Sequence, residues 1–137
     1  MQDHFNLTNI EFETQFKDCT LNPKSFSHEA HLRLAWIHIN EYGIETAIKN
    51  IEKQLKQFVV HVGARDKYHQ TVTIVAIKAV WHFMKKSKST SFKTFINTYP
   101  DLKTNFKELV NSHYSFDIFN SQKARKEFIQ PDLIEFD

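Results

Sequence analysis

The sequence predicts an all-α protein: one helical domain over residues 1–137, a single-domain helical bundle of about six helices with an up-down core. Three observations predict it. Apolar residues recur at spacings of three and four along most of the chain, the period of a helix rather than a strand. Two glycines and three prolines are too few for the tight turns of a sheet protein. Thirteen phenylalanines, within a 41% hydrophobic fraction, supply bulky material for a core, and 137 residues are enough to bury one.

The elements follow in order. Thr8-Asn-Ile-Glu11 reads as a capping box, with Ile10, Phe12 and Phe16 behind it and a stop near Asp18. Cys19 to Ser25, containing Asn22-Pro23, reads as a loop. Ser27 is a suitable N-cap for a second helix that ends before Gly43. The third helix carries Ile44, Ala47, Ile48, Ile51, Leu55, Phe58, Val59 and Val62, and Gly63 stops it. The fourth runs from about Tyr68 to Lys85, with Val72, Ala76, Val80 and Phe83 as its inner stripe. Shorter helices follow, one with Phe92, Phe95, Ile96 and Tyr99 before Pro100. The next starts near Asp101, with Leu102, Phe106, Leu109 and Val110 inside, and a last turn or two follows Ser121. The tail from Asp132 to Phe136 is apolar enough to dock.

Composition narrows the function classes. The net charge of +2 is spread along the chain, and Lys85, Lys86, Lys88 and Lys93 read as a solvated helix end. No interleaving of aromatic and basic residues forms a nucleic-acid reading motif. Cys19 is the only cysteine, which excludes an internal disulfide and a thiolate cluster. Met1 to Phe5 show neither a basic nor an apolar leader region, and no apolar run reaches membrane-spanning length. A cytoplasmic location follows as the expectation, with no nucleic acid and no membrane as partner.

The candidate site rests on three histidines. His28 and His31 open Phe26-Ser-His-Glu-Ala-His-Leu-Arg-Leu-Ala-Trp36, and His69 opens Tyr68-His-Gln-Thr-Val-Thr73. On an ideal helix Leu32, Ala35, Trp36 and Ile39 lie within roughly 80° of His28, and His31 lies about 60° to the other side. Val72, Thr73, Ala76 and Val80 lie within roughly 60° of His69, while Thr71 and His82 point away. Short connections make the second and fourth helices run the same way, so all three histidines fall at one end of the bundle. Three imidazoles there would suit a divalent transition metal (Zn, Fe or Cu), leaving a position for water or substrate. Helix N-termini also disfavour imidazolium, which keeps the rings able to ligate.

The other polar groups are weaker. Tyr68 is a hydroxyl donor for such a site or a core-edge residue. Thr73 is a ligand-binding hydroxyl or, more simply, a bond to its own helix's carbonyl. Glu29 and Arg33 point away from the His28 face, and no carboxylate ligand is assigned. His4, His61, His82 and His113 have no identifiable partner and read as surface or packing residues. Only Arg33, Arg65 and Arg125 are arginines among 18 basic residues, which hints at places where a planar fork is needed. Arg125 reads as paired with an acidic helix end, the alternative being an anion in the cleft.

Phe26-x-His-x-x-His-Leu-Arg-Leu-Ala-Trp36 and Lys67-Tyr-His-x-Thr-x-Thr73 are followed by Tyr114-Ser, Ala124-Arg125 and Pro131-Asp-Leu133. This combination resembles a group of small bacterial helical proteins, mostly uncharacterised, over most of the chain from Phe26 onward. The resemblance implies a single-domain helical fold and directs attention to His28, His31 and His69. It implies no reaction.

The leading expectation is a metal-dependent enzyme acting on a small molecule. His28, His31 and His69 would hold the metal, with Tyr68 and Thr73 beside it, and the metal would activate water or oxygen for hydrolysis or redox chemistry. The rival is a non-enzymatic small-ligand, anion-binding or interaction module in which the histidines are structural. A third reading is metal-free acid–base catalysis by His69 and Tyr68. The oligomeric state is left open, a homodimer included.

Overall fold

The computed structural model describes residues 3–136. Among these the chain is all-helical, with eight α-helices, four 3₁₀ turns and no strand. The chain divides into two compact units between Tyr68 and His69.

In the first unit a 3₁₀ turn, His4–Asn6, is opened by the Asp3 carboxylate, which accepts the Phe5 N–H. Helix α1 (Asn9–Lys17) starts at the predicted capping box. The Thr8 hydroxyl accepts the Glu11 N–H at 3.1 Å, and the Glu11 carboxylate accepts the Thr8 N–H at 2.9 Å. Phe12 and Phe16 face the core, but Ile10 is 78% exposed and belongs to the solvent side. Helix α2 (His28–Tyr42) is capped by Ser27, whose hydroxyl accepts the Ala30 N–H. Gly43, at φ +85°, turns the chain straight into α3 (Ile44–His61), a conformation a side chain would strain.

That tight turn makes α2 and α3 antiparallel neighbours, and α1 packs on both. Ala47, Ile51, Leu55 and Phe58 form the buried face of α3. The Phe58 ring meets Phe16 at 4.9 Å and Phe26 at 5.2 Å. Rings buried in this way stabilise by about 1.5–3 kcal/mol each through burial alone. A 3₁₀ turn, Arg65–Lys67, follows α3.

In the second unit α4 (Gln70–Met84) begins two residues later than the periodicity predicts, with His69 as its N-cap. Then come α5 (Phe92–Thr98), α6 (Asp101–Thr104), α7 (Phe106–Asn111), a 3₁₀ turn Ile118–Asn120 and α8 (Gln122–Lys126). The single helix expected after Pro100 is two, because Asn105 leaves helical geometry at φ −129°. Val75, Val110, Tyr114, Ile118 and Ala124 form a core joined by Val72, Phe106, Phe119, Phe128 and Ile129. Helix α4 packs against α8 and the Ile118–Asn120 turn.

The tail beyond α8 is not helical, yet side chains pin its backbone. Thr71 donates to the Glu127 carbonyl at 2.8 Å and accepts the Ile129 N–H at 3.1 Å. The Tyr114 hydroxyl donates to the Ile129 carbonyl at 2.7 Å, and Asp132 accepts the Ser115 N–H at 2.9 Å. The Leu133 N–H donates to the His113 carbonyl at 3.0 Å. No helix among the described residues is long and apolar enough to cross a membrane.

Candidate functional site

Ser27 ends the extended approach to α2, so His28 is the first helical residue and His31 lies one turn on. The core-facing expectation for His28 is corrected: its side chain is exposed. It lies on the face roughly opposite Ala30, the first-turn residue that is fully buried. His31 is partly buried and stacks on the Phe26 ring at 3.9 Å. Burial, then the neighbouring charge of His28, pushes its pKa down to about 4. His31 is therefore a neutral imidazole near pH 7.

His69 is partly buried in the second unit, and both of its ring nitrogens are engaged there. Nδ1 accepts the Val72 N–H at 3.1 Å, so the ring caps α4 in the manner of an Asn or Asp side chain. A nitrogen that accepts carries no proton, which assigns the proton to Nε2. Nε2 then donates to the Ile118 carbonyl at 2.8 Å. Burial lowers the His69 pKa and the Arg125 charge adds to this, against the opposing pull of the Ile118 carbonyl.

The hydroxyls divide differently from the helical-wheel reading. Thr73 donates to the His69 carbonyl at 2.6 Å, the bond within its own helix that its position makes natural. Thr71, expected to point away, is fully buried and holds the tail. The reversal follows from the later helix start and from a tail that covers that face. Tyr68 is partly buried just before α4, and the Lys56 ammonium lies 5.5 Å from its ring centre.

The structure thus places His28 and His31 in the first unit, and His69 and Thr73 in the second, with Tyr68 at the division. Among the described residues, no three His, Cys, Asp or Glu side chains gather as a metal shell would require.

A buried polar network escaped the sequence reading. Arg33 is 5% exposed, and all five of its N–H groups find acceptors in the first unit. Nη1 donates to the His4 carbonyl at 2.5 Å and faces His4 Nδ1 at 3.3 Å. Nη2 donates to the Leu7 carbonyl at 2.8 Å and to Asn9 Oδ1 at 2.9 Å, and Nε donates to the same oxygen at 3.3 Å. The guanidinium sits 5.0 Å from the Phe12 ring centre.

His4, read from the sequence as a surface or packing residue with no identifiable partner, is 2% exposed, and its Nε2 meets Glu29 Oε1 at 2.8 Å. Glu29 therefore turns toward the N-terminal segment. The scarcity of arginine was a usable signal for Arg33. Nothing near His4 in sequence foretells partners 25 and 29 positions away.

His38, on α2, is fully buried. Its Nδ1 lies 3.5 Å from the Asn50 amide nitrogen. Burial lowers its pKa, and the Glu13 carboxylate opposes that shift.

These features define an all-α protein whose inward polar side chains mainly tie non-helical backbone to helices. No protein-family model, curated protein or solved structure matches the chain.

Proposed function

We propose that the chain is a non-enzymatic small-ligand or interaction module in which the histidines are structural. The observation that carries this reading is the engagement of both His69 nitrogens, one as the cap of α4 and one on the Ile118 carbonyl. A metal at His69 would have to displace one of these bonds. The bond of Thr73 to its own helix supports the same reading. The interaction side is supported by Phe116, Leu133 and Ile134, which are exposed on and beside a tail whose backbone is pinned. Exposed apolar groups on an ordered backbone are a common feature of contact surfaces.

A second reading, a metal-dependent hydrolase or oxidoreductase, is favoured by one observation. His31 is neutral, as a ligand must be, with His28 one turn before it. Zn, Fe or Cu would bind there and activate water or oxygen on a small-molecule substrate. Metal analysis of protein purified without a histidine tag separates the two. Stoichiometric metal that is lost in His31→Ala and restored by added Zn, Fe or Cu in the parent favours the enzyme. Metal well below stoichiometry, with thermal stability unmoved by those ions, favours the module.

A further inference from the structure

The geometry points to the N-terminal strap, Asp3–Leu7, being a proton-operated latch that is closed on Arg33 while His4 Nδ1 is unprotonated and loosened when it gains a proton. The strap contains one 3₁₀ turn, with the Leu7 N–H donating to the His4 carbonyl at 3.1 Å and the Asn6 N–H to the Asp3 carbonyl at 3.0 Å. Its ties to α2 include Arg33, through the His4 and Leu7 carbonyls and over the Phe5 ring, and the His4 ring between Arg33 and Glu29.

The ring is polarised by its partners. A guanidinium only donates, so the Nδ1 facing Arg33 at 3.3 Å is an acceptor, and Nε2 carries the proton toward Glu29. A proton added to Nδ1 places an N–H against the Arg33 N–H and a second cation beside the first, in a pocket where His4 is 2% and Arg33 5% exposed. Charged groups facing the ring among the described residues include Arg33 and Glu29 from α2, with Asp3 from the strap acting on Arg33. From α1 it meets the Phe12 ring at 6.0 Å, with Asn9 holding the guanidinium. Glu29 keeps its bond to either form of the ring, so protonation breaks the bond to Arg33 instead. Loosening uncovers Phe12 and the guanidinium fork.

Amide hydrogen exchange of the full chain, corrected for the intrinsic pH dependence of exchange, tests this. From about pH 7 to about pH 5, protection at Asn6 and Leu7 should fall about tenfold while the amides of α3 stay protected. In His4→Gln, which can donate to Glu29 but has no proton to gain, that loss should vanish. Strap protection that is unchanged in the parent, or that falls equally in His4→Gln, would overturn the proposal. Should the variant not fold, the ¹⁵N shifts of the His4 ring in the parent decide. Protonation of Nδ1 in step with strap loosening supports the latch. Protonation with a strap that stays protected, or no protonation before the whole unit unfolds, refutes it.

Discussion

The His69 imidazole joins the start of α4 to the Ile118 carbonyl, 49 positions away, through a 2.8 Å bond from Nε2. The same ring closes α4 through Nδ1. One neutral side chain thus satisfies a helix N–H and a distant carbonyl, each costly to leave unpaired when buried. His69→Ala should lose about 2 kcal/mol in urea denaturation, about one for the cap and about one for the stranded carbonyl. His69→Asn should recover the cap alone, with about half the loss.

Thr71 and Thr73 should respond very unequally to removal of the hydroxyl. Thr71→Val leaves the Glu127 carbonyl and the Ile129 N–H without their partner, and should cost about 2 kcal/mol. Thr73→Val removes only a bond to a carbonyl of its own helix and should cost less than about 0.5 kcal/mol. Thermal melts of the two variants check the contrast.

Arg33→Lys keeps a charge but cannot reproduce a fork of five donors. The Leu7 carbonyl and Asn9 lose partners, and an ammonium is left in a pocket that is nearly dry. A loss of about 2–4 kcal/mol in chemical denaturation is expected, with the N-terminal segment the first region to exchange.

Stability should fall with acid. His31, His38 and His69 all have folded pKa values below the ordinary imidazole value of 6.5, each chiefly through burial. The unfolded chain therefore takes up protons first. These residues contribute fully above about pH 7, and their contribution shrinks as pH falls through 6.5. For His31 the decline continues to about pH 4, where the folded form also protonates. His31 alone accounts for a loss on the order of 3 kcal/mol across that window. Urea midpoints from pH 7.5 to pH 4.5 should fall steadily, and His31→Gln should flatten the slope.

Much of the helical framework was legible because it is local. The Thr8–Glu11 box, the Ser27 cap, the Gly43 turn and the apolar face of α3 all follow from neighbours a few positions apart. What was not legible depends on partners far along the chain. The tail that covers Thr71 comes from residues 127–129, and the environment of Arg33 comes from residues 4–9. A helical wheel assigns faces but not the non-helical segments that lie over them, so Thr71 was placed on the wrong side and the contact between His4 and Glu29 was not foreseen. His28 was placed inward by periodicity, although the buried face of the first turn is the one that carries Ala30.

The structural role of the histidines is tested most directly by long-range ¹H–¹⁵N NMR of the His69 ring, with untagged protein before and after one equivalent of zinc. An Nε2–H tautomer whose shifts do not move on zinc addition agrees with a ring that caps α4 and holds Ile118. A ring that shifts stoichiometrically with zinc, or that carries its proton on Nδ1, would contradict it.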